Sequence, residues 1–197
     1  MDSIGPMVLK QCGEALCSPI HHLFRVSLST SRLPAEWRTH LITPVFKAGD
    51  RSLVKNYRPI SLLCSISKVL ERLVFNRVAD HVAGSIVTCQ FGFVKGRSSQ
   101  QQLLIMLDKI HSNLENKVCS DVVYLDIRKA FDSVDHSILL SKIHSMGIVG
   151  QLLDWFVAYL DNRCQLVSVH GQHSDLLPVT SGVPQGSILG PLLFLIY

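Results

Sequence analysis

The residues best suited to chemistry lie in the segment 124–136, YLDIRKAFDSVDH. Asp126 directly follows the apolar run 122–125, which is typical of a short strand covered on both faces. A carboxylate at the end of such a strand is held rigidly and offers the hard oxygen ligands that Mg²⁺ prefers. An isolated aspartate there caps the following turn at least as often, so this segment alone leaves both roles open. Asp132 and Asp135 lie past the turn and are interpreted as helix caps or surface charges.

A second segment, 180–194, reads TSGVPQGSILGPLLF and combines glycines with a polar side chain. Glycine lets a backbone come close to a bound base or sugar, and Gln185 has the amide needed to hydrogen-bond a nucleotide. The segment lacks the GK[ST] of a Walker A loop. Taken alone, it is a glycine- and proline-containing turn before a helix.

The elements that position these segments alternate between helical and extended patterns. Apolar residues recur at helical spacing after Ser18-Pro19, along 66–78, along 103–114 and in two helices near 137–146 and 152–160. Ser98-Ser99 is a candidate cap for the third of these helices, whose apolar stripe (Leu103, Leu104, Leu107, Ile110, Leu114) is predicted to be buried. Strands are predicted at 40–46 and 122–125, with a hairpin of 166–169 and 176–180. The predicted fold class is therefore α+β, with packed helices and a small, mostly antiparallel sheet.

Composition narrows the functional classes without selecting one. The chain has 197 residues, 47% hydrophobic and 17% charged, which excludes a disordered chain and favours a real core. Its mean hydropathy of +0.28 suggests surface that another segment normally covers. A net charge of +4 permits a polyanionic partner but does not require one. The six cysteines and nine histidines show no metal-ligand spacing, so no structural metal is assigned.

No targeting or membrane segment is recognisable. The N-terminus lacks the basic and apolar regions of a signal peptide, and the apolar run 188–197 is too short to span a bilayer. We therefore expect an intracellular protein, in the nucleus or cytoplasm.

Five segments in order resemble one family. LPAEWRTHLITPVFKAGD, NYRPISLL and QFGFVKGRSS precede the two segments above, and the whole series resembles the reverse transcriptases of non-LTR (LINE-like) retrotransposons. Group II intron maturases share much of this pattern and remain the alternative within the class. The resemblance covers 33–197, which predicts an N-terminal helical extension at 1–32 and reverse transcriptase fingers and partial palm at 33–197.

The resemblance implies a right-hand polymerase fold and RNA-directed DNA synthesis from an RNA template, a DNA primer and deoxynucleoside triphosphates. In the family's two-Mg²⁺ reaction, Asp126 would bind both ions with help from the Ile127 carbonyl. The resemblance also implies that Phe131 is an aromatic gate facing the sugar, and that Lys47 and Arg58 contact the triphosphate. Gln185 and Gly186 would contact the nucleotide and template. The residues implied to lie against the template backbone are Gly92, Lys95, Gly96 and Arg97.

The family's remaining metal carboxylates belong to a Tyr/Phe-Ala-Asp-Asp hairpin that would follow Tyr197. We therefore expect that this chain does not bind both ions fully and does not extend a primer alone. The alternative is a non-catalytic RNA- or DNA-binding fragment that uses the basic set Lys47, Lys55, Arg58, Lys95 and Arg97.

Overall fold

A computed structural model describes residues 4–197 as eight helices and five strands. The helices are α1 (Pro6–Gln11), α2 (Gly13–Thr30), α3 (Ala35–Arg38), α4 (Ser65–Val82), α5 (Ser99–Glu115), α6 (His136–Ser145), α7 (Gln151–Leu160) and α8 (Gly190–Ile196). The strands are β1 (Thr39–Phe46), β2 (Tyr57–Leu62), β3 (Arg163–Val169), β4 (Gln172–His173) and β5 (Leu177–Val179). The predicted α+β class is confirmed.

The sheet is built around β1 and β3. Strand β2 pairs antiparallel with β1, with Val45 opposite Arg58. Strand β3 pairs parallel with the other edge of β1, with Leu41 opposite Leu166, and both β4 and β5 pair antiparallel with β3. Because three of these four pairings are antiparallel, the predicted sheet character is confirmed. The parallel pairing brings two segments together that are more than 120 residues apart in sequence.

The hydrophobic core lies among the helices. Many of its least exposed side chains come from α4, α6, α7, α8 and the loops before α6 and α8. They include Leu70, Val78, Val82, Val134, Leu139, Ile143, Trp155, Phe156, Leu160, Leu189, Leu192 and Leu193. The indole N–H of Trp155 donates to the Ser27 hydroxyl at 3.2 Å, which joins α7 to α2. The N-terminal helix α2 therefore packs into the same core as the rest of the chain.

The chain enters α2 earlier than Ser18-Pro19 predicts. The helix begins at Gly13, so Pro19 lies inside it rather than at its first turn. Proline removes one backbone donor from the helix. Because Pro19 lies on an exposed part of α2, water can solvate the carbonyl that this donor would have reached.

The prediction of a buried stripe on α5 is wrong, although the helix and its cap are confirmed. Ser98 accepts from the Gln101 backbone N–H and the Gln101 side chain accepts from the Ser98 N–H, forming a capping box. Within the described chain no other element covers the apolar stripe, and Leu104 and Leu114 are each 66% exposed. The pattern correctly indicated a helix, but a pattern cannot supply the surface against which that helix would pack.

The predicted strand 122–125 is also wrong. These residues belong to no strand, and Leu125 is 89% exposed. A strand exists only if a neighbouring strand accepts and donates its backbone hydrogen bonds, and none of the five described strands runs beside this segment. Asp126 consequently follows an exposed stretch and not a buried strand.

Candidate functional site

A cleft of about 380 Å³ lies between the sheet and the glycine-containing loop of residues 180–190, which we call the glycine loop. Strands β1, β2, β3 and β5 supply one wall, and the glycine loop supplies the other. The lining residues are His40, Ile42, Pro59, Ser61, Lys129, Asp132, Arg163, Gln165, Val167 and 178–185. The two chemically distinctive segments of the sequence therefore meet at one cavity, through 129–132 and 180–185.

The start of the glycine loop is fixed against the 131–136 turn. The backbone N–H groups of Gly182 and Val183 donate to the carbonyls of Val134 and Phe131, each at 2.8 Å. The His136 ring lies with Nε2 2.8 Å from the Gly182 carbonyl. Gly182 has φ +84°, and a Cβ there would lie 2.8 Å from the Asp132 Cα and carbonyl oxygen. Glycine is therefore required at this position both for its backbone conformation and for space.

The middle of the glycine loop is fixed against β2. The Ser61 N–H donates to the Gln185 carbonyl at 2.7 Å. Gly186 follows with φ +126°, and any Cβ there would overlap the Ser61 carbonyl oxygen. This close approach leaves the Gln185 side chain among the residues that line the cleft.

A buried polar pair forms the base of the cleft. The Arg163 guanidinium donates from Nε to His40 Nε2 at 2.6 Å, and its terminal nitrogens donate to the carbonyls of Tyr159 and Trp37 at 2.7 and 3.2 Å. Burial, followed by the nearby positive charge of Arg163, lowers the pKa of His40 from 6.5 to about 3. His40 is therefore neutral near pH 7 and can accept this hydrogen bond.

Asp126 and Ile127 lie outside this lining, and both are exposed. The cleft instead contains Lys129 and Asp132, from the turn that follows them. Lys129 has φ +53°, a left-handed conformation that side chains other than glycine and asparagine seldom adopt. Asp135 accepts from the N–H groups of Ser137 and Ile138 at the start of α6, so its interpretation as a helix cap is confirmed.

Phe131 lies in an aromatic cluster beside the cleft. Its ring stacks on Phe194 with centroids 4.8 Å apart, and Phe93 meets it edge-on at 5.9 Å. The ring is half-buried against the core, while the Phe131 carbonyl holds the glycine loop.

Lys47 and Arg58 are exposed and belong to the β1–β2 hairpin. Side chains alternate along a strand, and Pro59 and Ser61 of β2 line the cleft. Arg58, between Tyr57 and Pro59, therefore projects from the opposite face of the sheet. Lys47 follows the last residue of β1 and is likewise absent from the lining.

The predicted template-contacting loop is organised by one of its own residues. Arg97 Nη1 donates to the carbonyls of Val87, Thr88 and Gln90 at 2.9, 3.1 and 2.6 Å. Lys95 and Gly96 are exposed beside it, as is Gly92. The guanidinium of Arg97 is thus engaged within the protein, which leaves Lys95 as the loop's solvent-facing cation.

Within residues 4–197, no three His, Cys, Asp or Glu side chains come close enough to hold a metal ion. Asp126 and the Ile127 carbonyl offer two ligand groups, whereas Mg²⁺ requires near-octahedral coordination. These residues do not form a complete metal site by themselves.

Sequence reasoning missed several residues that shape the cleft: His40, Ser61, Glu71, Lys129 and Arg163. Most are polar residues within apolar strands or helices, and the interruption of an apolar pattern by a charged residue was the available signal. Arg163 lies three residues after the end of the apolar helix 151–160, at the start of β3, and Glu71 interrupts the apolar face of α4.

Comparison with known proteins decides the family. The model for the family "Reverse transcriptase (RNA-dependent DNA polymerase)" matches residues 45–197. The chain belongs to the reverse transcriptase family. Its relatives are RNA-directed DNA polymerases of non-LTR retrotransposons, which confirms the resemblance seen in the sequence.

Three relatives illustrate the range of similarity. The chain is 35% identical to the RNA-directed DNA polymerase from mobile element jockey of Drosophila melanogaster, over 89% of this chain and 19% of that protein. Identity to the probable RNA-directed DNA polymerase from transposon X-element of the same species is also 35%, over 89% and 20%. The Pol polyprotein from type-1 retrotransposable element R2 of Popillia japonica is 27% identical, over 86% and 24%.

The chain thus spans about a fifth of the length of these curated relatives. Over residues 45–197 it is a member of the reverse transcriptase family, and two of the relatives that it matches are named as RNA-directed DNA polymerases of mobile elements. No helix within residues 4–197 is both long enough and apolar enough to cross a membrane.

Proposed function

We propose that this reverse transcriptase domain uses the cleft to receive an incoming deoxynucleoside triphosphate opposite an RNA template. The observation that carries the proposal is the convergence of 129–132 and 180–185 on one cavity, within a chain that matches the family over 45–197. The reaction is nucleotidyl transfer. The primer 3′ hydroxyl loses its proton to solvent as its oxygen bonds to the α-phosphorus, the bond from that phosphorus to the bridging oxygen breaks, and pyrophosphate leaves.

The roles proposed for the chain's own residues are those that the family resemblance implies, and the chemistry of each residue is compatible with its role. Gln185 offers an amide that both donates and accepts hydrogen bonds toward a base or sugar, and Gly186 permits a close backbone approach. The resemblance also assigns the triphosphate to Lys47 and Arg58, which would have to reach it from outside the cleft lining. Phe131 would limit the space at the sugar. Lys95, Gly96 and Arg97 would lie against the template.

Magnesium is the ion that the reverse transcriptase family generally uses. We propose that Asp126 and the Ile127 carbonyl are this chain's contribution to a site that takes further ligands from elsewhere. The ions would supply charge stabilisation to the attacking and leaving oxygens.

We also propose that the division near residue 33 separates an N-terminal helical extension, 1–32, from the fingers and partial palm. Helices α1 and α2 lie in this extension, and residues 1–3 lie outside the described residues. The packing of α2 on α7 supports an extension that is attached to the domain rather than an independent unit.

Nucleotide binding tests the proposal directly. A fluorescent deoxynucleoside triphosphate, added with Mg²⁺ and a primer–template, should bind the chain, and Gln185→Ala should weaken binding by about tenfold through one lost polar contact. Gln172→Ala, an exposed glutamine on β4, is the matched control and should have no effect. Equal effects of the two substitutions would contradict a role for the cleft.

In parallel, we expect no primer extension on an RNA template by the chain alone, and measurable Mg²⁺-dependent incorporation would overturn that expectation.

A second candidate function is nucleic-acid binding without catalysis. The exposure of Lys47, Lys55 and Arg58 around one hairpin favours it. A filter-binding titration with RNA and duplex should show affinity that falls steeply as salt rises, because phosphate contacts release counterions. Affinity independent of salt would count against this candidate.

A further inference from the structure

Glu71 is a carboxylate enclosed in the core of the protein. It lies on α4 and is 2% exposed, between the apolar residues Leu70 and Val74. A buried carboxylate is costly unless hydrogen bonds replace the water that it has lost. The groups that donate hydrogen bonds to Glu71 therefore indicate its structural role.

The partners of Glu71 belong to the end of the glycine loop. The backbone N–H groups of Ile188 and Leu189 both donate to Glu71 Oε2, at 2.7 and 3.2 Å. These amides immediately precede α8, where the first turn of a helix leaves backbone donors without a partner. One buried oxygen thus satisfies two donors of the glycine loop from a helix more than 110 residues away in sequence.

The electrostatic environment is consistent with this role. Burial raises the pKa of Glu71, while the two loop N–H groups and the positive charge of Arg163 act in the opposite sense. Arg163 also forms the base of the cleft. The positive charge beneath the cavity therefore acts electrostatically on the same carboxyl group that binds the glycine loop.

We propose that Glu71 is a positioning residue that sets the conformation of the glycine loop and thereby places Gln185 in the cleft. Three anchors hold this loop: the 131–136 turn at Gly182, β2 at Gln185, and Glu71 at residues 188–189. The consequence for nucleotide binding rests on the proposed function, whereas the anchoring itself does not.

Hydrogen exchange measured by mass spectrometry tests the anchoring in the free protein. In Glu71→Ala, exchange in a peptide covering 182–190 should be about ten to a hundred times faster than in the wild type, since two hydrogen bonds to a buried carboxyl oxygen are lost. A peptide covering α7 reports global opening and should change much less. Glu71→Gln should bring the loop back to within about threefold, because its amide oxygen can accept the same two bonds.

Ser67→Ala is the matched control. Ser67 is also buried on α4, but its hydroxyl donates to the Cys64 carbonyl and not to the loop. This substitution should leave exchange in 182–190 unchanged relative to α7. Faster exchange spread evenly over both peptides in Glu71→Ala, or no change in the loop, would overturn the proposal.

If Glu71→Ala does not fold, Glu71→Asp replaces it, because the shorter side chain keeps the charge but withdraws the oxygens from the loop. Faster exchange confined to 182–190 supports the anchoring, and unchanged or uniform exchange overturns it.

A second measurement adds primer–template, deoxynucleoside triphosphate and Mg²⁺ to the wild type. Absence of extra protection there would count against the proposed function alone, since the anchoring is judged in the free protein.

Discussion

Individual ionisable residues in this chain are used for structure as much as for binding. His40, Glu71 and Arg163 are each 2% exposed, and each has its hydrogen-bonding groups directed at backbone or at another of the set. Sequence alone ranks these residues as ordinary polar positions, since a histidine in a strand or a glutamate in a helix is common. Their importance depends on distant partners that only the folded chain brings together.

The protonation of His40 should make the fold sensitive to acid. Its folded pKa of about 3 lies below the ordinary value of 6.5, so between these values the unfolded chain binds the proton more tightly. The stability that neutral His40 confers is complete above pH 6.5 and is lost as pH falls toward 3. Between pH 7 and 4.5, we expect a loss of about 2–3 kcal/mol from this residue in urea unfolding.

His40→Gln keeps a hydrogen-bond acceptor but does not titrate in this range, so it is the control. The difference in pH dependence between wild type and His40→Gln isolates the histidine. Glu71 acts in the opposite sense, because its raised pKa makes stability fall as pH rises through that pKa. Identical pH profiles for the two proteins would show that His40 is not buried in its neutral form.

Among the elements, the glycine loop is the one whose geometry admits the least change. Gly182→Ala should destabilise the chain by about 2–4 kcal/mol, because the new Cβ meets the backbone of Asp132 and φ remains at +84°. Gly171→Ala is a close control, with φ +78° and nothing within 4 Å of its Cβ, and should cost only about 1 kcal/mol. Urea unfolding of both variants gives the comparison, and equal losses would mean that no clash limits the loop.

The helices and strands also show which structural features a sequence pattern predicts. Periodicity correctly predicts α4, α6 and α7, and the residue types at 40–46 correctly predict β1. The parallel pairing of β1 with β3 has no local signal, because it depends on chain closure across the intervening helices.

At the site, the sequence predicts a nucleotide contact for Gln185, between two glycines of a tight loop. The structure places Gln185 in the cleft lining, and its contact with a nucleotide stays a prediction. The position of Asp126 was inferred from an apolar run that requires neighbouring strands. No described strand supplies those neighbours, so the inference about the strand failed while the chemical role of Asp126 stays a prediction.

At the scale of the whole molecule, apolar surface is divided unevenly between a closed core and an open region. The core contains Leu70 at 1% exposure, whereas Leu104 on α5 is 66% exposed. This open surface includes residues on α5 and along 118–127.

Replacing leucine by alanine should therefore change the free energy of unfolding far more at Leu70 than at Leu104. Leu70→Ala should lower the free energy of unfolding by about 2–5 kcal/mol, because it leaves a cavity. Leu104→Ala should change it by less than about 0.5 kcal/mol and should reduce the binding of a hydrophobic dye to the folded chain. Urea unfolding and dye fluorescence check both effects, and a large loss of stability at Leu104 would mean that α5 is packed in solution.

The exposed stretch from 119 to 127 has one more consequence, for the covalent continuity of the chain. Cleavage there would leave an N-terminal piece bearing β1 and α4 and a C-terminal piece bearing β3 and α8. Strand pairing and the Glu71 hydrogen bonds would still hold the two pieces together without a peptide link. The domain should therefore tolerate being nicked, and two separately produced halves should reassemble into one particle.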